Sequence, residues 1–228
     1  MAIVRLKEKK IISKAILDRK SLFVYGPEGV GKTFLLRHIL KNIKGANIFY
    51  AGNCSSLKNT LLSLLNYEYS RTSLLRKNIL DLKRLFYKLL KREKPYFIFD
   101  HLGRVLPKFY SFFEHLMDEE IPFAIISRGT NRDEIGHLVM ATFYFEKIEI
   151  FNLDRVATNS LVDHFISEFN IKITRETEFK KEVFRFSRGN PKTIKEFCSL
   201  ARNGKYQKDG CLDVKLMNLD LRINEIVY

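Results

Sequence analysis

The stretch Gly26-Pro27-Glu28-Gly29-Val30-Gly31-Lys32-Thr33 constrains this chain more than any other. It fits G-x-x-x-x-G-K-[ST], the pattern of a loop that cradles nucleotide phosphates. Residues 21–25 before it are a short apolar, β-rich run and read as a buried strand. Residues 34–40 after it place apolar side chains at helical spacing. Strand, glycine loop and helix start are what binding an anion requires. Glycines let backbone N–H groups curl around phosphate oxygens. A helix N-terminus adds unpaired N–H groups and a favourable dipole. Lys32 is expected to reach the β- and γ-phosphates, and the Thr33 hydroxyl to hold Mg²⁺. Gly26, Pro27, Glu28, Gly29, Val30, Gly31, Lys32, Thr33 and Phe34 therefore form the candidate nucleotide-binding segment. The chain has no N/T-K-x-D guanine motif, so ATP is the expected nucleotide.

A second signature lies downstream. Pro95 ends a helical pattern, and Tyr96-Phe97-Ile98-Phe99-Asp100 follows, an apolar strand that terminates in a carboxylate. Open α/β sheets bind ligands at the C-terminal ends of their strands. Asp100 is there expected to hold Mg²⁺ through water. His101 follows where a water-polarising glutamate is usual, so nucleotide binding is better supported than hydrolysis. An imidazole can activate water weakly or can hydrogen-bond to a neighbour. A further buried strand, residues 123–127, leads into Arg128, a basic group able to sense a γ-phosphate. Lys32, Asp100, His101 and Arg128 are the candidate catalytic residues, and Thr33 and Asp100 the candidate metal ligands.

The rest of the chain organises around these marks. A lysine-rich amphipathic helix is expected over residues 7–17, and the second strand over 47–51. A short helix follows over 57–66, and the longest helical pattern runs over 72–94. Another helix spans 106–117, and a fifth strand 143–150. From Asn152 the pattern is helical, over 156–169, 176–187 and 191–202, with Gly189-Asn190-Pro191 dividing the last two. Residues 214–228 are mixed, and Leu219, Leu221 and Ile223 alternate as in a strand. This gives an ATPase core over residues 1–151, a helical region over 152–203 and a tail over 204–228. Five strands interleaved with helices imply a parallel αβα sandwich.

With 228 residues, 19 Phe and 10 Tyr, the chain can bury a sizeable core. No apolar run approaches the ~20 residues of a membrane helix, and the N-terminus lacks the apolar centre of a signal peptide. Cys54, Cys198 and Cys211 are odd in number and widely spaced, which implies neither a disulfide framework nor a zinc site and fits a reducing cytoplasm. The net charge of +14 points to an acidic partner or to a generally basic proteome. Arg76, Lys77, Lys83, Arg84, Lys88, Lys91 and Arg92 crowd the polar faces of the longest helical pattern, either as a solvated surface or as one that tracks phosphates.

These marks together resemble the P-loop ATPases of the AAA+ and STAND groups, over about residues 1–203. Ile125-Ile126-Ser127-Arg128 looks like the sensor-1 strand, whose arginine contacts the γ-phosphate in that family. Asn152-Leu153 looks like the start of the family's helical lid. Ser187-Arg188-Gly189-Asn190-Pro191-Lys192 looks like its G-x-P motif and like the sensor-2 turn of origin-recognition-type proteins. The resemblance implies strand order 5-1-4-3-2, a small all-α lid, Pro191 beside the adenine and Lys192 reaching the phosphates. It implies a nucleotide-dependent switch with slow Mg²⁺-dependent ATP hydrolysis. The basic charge makes DNA its expected ligand, with a protein partner or self-assembly reading the state. The alternative is a nucleotide-stabilised protein-interaction module with little or no hydrolysis. A small-molecule kinase fits less well, because the helical Gly-Asn-Pro region is not an acceptor site.

Overall fold

The apolar runs pair into one five-stranded sheet of order β2-β3-β4-β1-β5, made of β1 (Leu22–Tyr25), β2 (Ile48–Ala51), β3 (Tyr96–Phe99), β4 (Phe123–Ser127) and β5 (Glu146–Glu149). Every pairing is parallel, as the expected order requires. The computed structural model describes residues 5–43, 45–93, 95–208 and 211–227. Residues 1–4, Lys44, Lys94, Asp209, Gly210 and Tyr228, which belong to the core and tail expected from the sequence, lie outside them. The chain divides into two compact units. One holds the described residues of Ala2–Gly26 with Lys32–Ile150, and the other Pro27–Gly31 with Phe151–Tyr228.

In the first unit β1, β3 and β4 are almost wholly buried. That is the signature of parallel strands covered on both faces. The flanking helices are α1 (Leu6–Leu17), α2 (Lys32–Asn42), α3 (Leu57–Leu65), α4 (Arg71–Leu75), α5 (Ile79–Arg92), α6 (Pro107–Asp118), α7 (Arg132–Ile135) and α8 (Leu138–Ala141). One sheet face is filled by rings. Phe99 meets Phe113 at 5.0 Å edge-on and Phe123 at 5.7 Å, while Phe86 lies 5.1 Å from Phe112 and 5.4 Å from Phe97. Such pairs add about 0.5–1.5 kcal/mol each beyond their buried area. The outer strand β5 exposes Glu146, Lys147 and Glu149, charges that discourage edge-to-edge pairing.

Three expectations change. The helical pattern over 72–94 is two helices, because Asn78 takes the cap position of α5 and its Oδ1 accepts the Asp81 N–H at 2.9 Å. The fifth strand begins at Glu146, opposite Leu22, where β1 itself begins. Phe143 and Tyr144 precede it in a 3-10 turn over Thr142–Tyr144. The tail alternation is not a strand: α12 (Val214–Val227) forms, capped by Asp213, which accepts the Leu216 N–H at 3.0 Å. Val214 and Met217 are buried at helical spacing, which outweighs the period-2 pattern. A two-stranded ladder of β6 (Gln207–Lys208) and β7 (Cys211–Leu212) precedes it.

The second unit packs α9 (Arg155–Phe169), α10 (Glu176–Ser187), α11 (Pro191–Leu200) and α12 around Leu161, Val162, Phe165, Val183, Ile194 and Phe197. Asp154 caps α9 by accepting the Ala157 N–H at 2.7 Å. Asn170 ends that helix in the left-handed conformation. No helix of the described residues is long and apolar enough to cross a membrane.

Candidate functional site

The sequence reading singled out the connection from β1 to α2, and its backbone has the unusual conformation that a phosphate cradle needs. Gly26, Gly29 and Gly31 have φ of 150°, 76° and 94°. Any other residue is strained there. At Gly26 a Cβ would lie 2.2 Å from the Ile150 carbonyl oxygen, so the chain passes where a side chain cannot. Val30 is fully buried and anchors the loop, while Pro27 and Glu28 are exposed. Gly31, Lys32 and Thr33 are half-buried, and Phe34 faces outward. The first turn of α2 holds no acidic residue, so its positive dipole end is not neutralised by a carboxylate of its own. Lys32 bends back, and its Nζ donates to the Gly26 carbonyl at 2.6 Å.

The order β3-β4-β1 sets three strand ends side by side, with Tyr25 opposite Ser127 and Phe99 opposite Ile125. Gly26, Arg128 and Asp100 leave the sheet at those neighbouring C-termini, where open sheets bind their ligands. Arg128 is exposed. Ser127 Oγ donates to the Gly129 carbonyl at 2.5 Å and tightens the turn beneath it.

Asp100 is only 1% exposed. A buried carboxylate needs donors, and two hydrogen bonds meet it. Tyr50 Oη donates to Oδ2 at 2.5 Å, and the His101 backbone N–H donates to Oδ1 at 2.8 Å. His101 Nδ1 lies 3.3 Å from the same Oδ1. His101 sits at φ 56°, a conformation in which histidine is enriched, and the turn directs its ring back onto Asp100. Burial, then the hydrogen bond to Asp100, push the Tyr50 hydroxyl well above the usual phenol range, so it remains a donor. The Arg37 guanidinium lies 5.9 Å from the Tyr50 ring centroid. Replacing Tyr50 by Phe should leave Asp100 Oδ2 short of a donor in a buried setting, at a cost of about 1–2 kcal/mol. Calorimetry should show Tm falling by about 3–6 °C; an unchanged Tm would mean that the bond contributes nothing.

In the other unit, Pro191 is buried in the first turn of α11 and Lys192 is exposed beside the loop. Lys192 Nζ lies 3.6 Å from Glu28 Oε1, and its backbone N–H donates to the Gly29 carbonyl at 3.1 Å. The Glu28–Lys192 pair is exposed on both sides and contributes little by itself. The sequence singles out neither Tyr50 nor Arg37, and marks Asn190 only as part of the turn before Pro191. The pairing of β2 with β3 was a signal for Tyr50, since it sets a tyrosine beside the strand that ends in Asp100. Cys54 is a structural thiol: burial pushes it up to about 12, out of reach of nucleophilic chemistry.

The family model described as AAA domain matches residues 18–155. The chain belongs to the AAA domain family. Solved structures give this AAA domain the same fold. The ORC2 protein of Aeropyrum pernix, in ADPNP-ADP complexes, aligns with a TM-score of 0.63 at 15% identity, over 97% of this chain and 68% of that one. The Walker-type ATPase PABY2304 of Pyrococcus abyssi aligns with a TM-score of 0.66 at 14% identity, over 98% and 73%. The replication initiator DnaA, bound to AMPPCP and single-stranded DNA, aligns with a TM-score of 0.56 at 17% identity, over 84% and 59%. At these identities the likeness is one of fold. No curated protein matches this chain in sequence.

Proposed function

We propose that this AAA domain is an ATP-dependent switch with slow Mg²⁺-dependent hydrolysis that acts on or with DNA. The observation that carries the reading is the loop: positive-φ glycines before a helix start, with Lys32 folded onto the Gly26 carbonyl. Lys32 would exchange that carbonyl for phosphate oxygens, a charge-assisted and therefore stronger partner. The residues fit a metal as well, since Asp100 is a carboxylate held by two hydrogen bonds at a strand end and Thr33 a half-buried hydroxyl in the first turn of α2. When bound, Mg²⁺ would neutralise charge developing on the phosphate oxygens. Arg128 would sense the γ-phosphate, and Pro191 and Lys192 would contact adenine and phosphates. His101 turns its ring to Asp100 and offers only imidazole where glutamate usually polarises water, so turnover is expected to be slow.

The DNA half of the reading is supported by the charge of +14 and by α5. Lys77, Arg84, Lys88 and Lys91 line one groove with Asp81, Leu85 and Tyr87. Basic groups along one helix face suit phosphate contacts that read no sequence. The DnaA structure bound to single-stranded DNA and the Drosophila ORC structure bound to DNA lend the same support. The test is single-turnover ATP hydrolysis with and without DNA, beside the triple variant Arg84→Glu, Lys88→Glu, Lys91→Glu. DNA should stimulate wild-type turnover. The triple variant should bind DNA at least tenfold more weakly, with the log–log salt slope reduced by about three. Turnover indifferent to DNA, with unchanged affinity in the variant, would refute the DNA reading.

The second reading, a nucleotide-stabilised protein-interaction module, is favoured by a different observation. Met140, Phe143 and Tyr144 are 78%, 76% and 91% exposed beside one another in the chain. Grouped apolar exposure of this kind marks interaction surfaces.

A further inference from the structure

We propose that Asn190 is a positioning residue that aims the loop's backbone N–H groups, through one side-chain amide that serves two backbones at once. Asn190 is the cap residue of α11. Its Oδ1 accepts the Lys192 N–H at 3.1 Å and the Thr193 N–H at 3.4 Å. Its Nδ2 donates across 162 residues to the Glu28 carbonyl at 2.8 Å. Two donors on one side and an acceptor on the other fix which way the amide faces. The adjacent Gly29 carbonyl accepts the Lys192 N–H at 3.1 Å. Two successive loop carbonyls are thus held against the start of α11.

The consequence follows from peptide geometry. No peptide bond among the described residues is cis. In a planar trans peptide the C=O and the following N–H point in opposite directions. Holding the Glu28 and Gly29 carbonyls toward α11 therefore turns the N–H groups of Gly29 and Val30 the other way. These are the donors with which a glycine loop cradles an anion. The approach also depends on Gly29, where a Cβ would lie 2.6 Å from Asn190 Oδ1 and 2.7 Å from Lys192 Cβ. The loop's aim is therefore set from outside the loop, by the unit in which Pro27–Gly31 cluster with the C-terminal helices.

The link to phosphate rests on the nucleotide reading above, and the experiment separates the two. Asn190→Asp keeps the cap, since aspartate caps as well as asparagine, but has no donor for the Glu28 carbonyl. Asn190→Ser, a cap without the reach, controls for the added charge. Asn190→Ala loses both functions. In nucleotide-free protein, hydrogen exchange of the loop amides should rise about tenfold in Asn190→Asp and Asn190→Ser, while α11 amides and Tm stay near wild type. Affinity for fluorescent ADP should fall about three- to tenfold in the same two variants. Wild-type loop exchange and affinity in Asn190→Asp would overturn the proposal, as would α11 amides that loosen as much as the loop. Faster loop exchange in a protein whose wild type binds no nucleotide would leave Asn190 as the residue that sets the loop and would refute the nucleotide reading instead.

Discussion

Lys32→Ala is expected to lower affinity for ATP and ADP by about two orders of magnitude while leaving the fold intact. The two halves of this expectation have separate physical causes. An ammonium bonded to phosphate oxygens makes charge-assisted hydrogen bonds of about 1.5–3 kcal/mol each. Losing one or two of them at a single site reaches that scale. In the nucleotide-free protein the same ammonium makes a bond to the Gly26 carbonyl at 2.6 Å. Its loss at a half-buried position costs about 1 kcal/mol, or about 2–4 °C in Tm for a chain of this size. Isothermal titration of ATP, with and without Mg²⁺, beside a melting curve, measures both. A variant that binds ATP like the wild type would remove the nucleotide reading altogether. A variant that no longer folds would show that the Gly26 contact supports the loop more strongly than its geometry implies.

The loop was legible because its chemistry is local. Glycines, lysine and threonine at fixed spacing between a strand and a helix specify both a backbone shape and a ligand. Asp100 was legible for the same reason, as a carboxylate ending a wholly apolar strand. The sheet order came from the family resemblance and not from the residues, since buried strands of similar composition carry no label for their neighbours. What stayed hidden acts across the chain. Tyr50 reaches Asp100 over 50 residues, and Asn190 reaches Glu28 over 162. A side chain's second partner leaves no trace in periodicity. Asn190 was readable as part of a turn before a proline, not as a donor to the loop. Two further misreadings are local conflicts in which capping outweighed pattern. Asn78 interrupts a run of good helix formers because its side chain serves the next helix better, and Asp213 starts a helix through an alternating tail.

Gly189→Ala is expected to destabilise the C-terminal unit by about 3 kcal/mol or more, the largest stability effect of any single methyl at this turn. Gly189 has φ 77°, and a Cβ there would lie 1.9 Å from the Leu153 carbonyl oxygen and 2.9 Å from its carbon. A left-handed conformation alone costs an L-residue about 1–2 kcal/mol. The backbone clash adds to this because Leu153 cannot move freely: its N–H donates to the Gly189 carbonyl at 2.8 Å, and it leads directly into α9. Arg188, at φ 50°, supplies the contrast. It already bears the left-handed cost and is exposed, so Arg188→Gly should be neutral or slightly stabilising. Chemical denaturation of the two variants separates strain at one residue from a general dislike of change in this turn. The functional effect of Gly189→Ala should exceed its effect on stability. Any shift of residue 189 moves Asn190 and Lys192, whose polar atoms meet Glu28 and Gly29. Nucleotide affinity should therefore fall even at temperatures where the variant is fully folded. If affinity instead tracked only the folded fraction, the turn would act on the loop through stability alone.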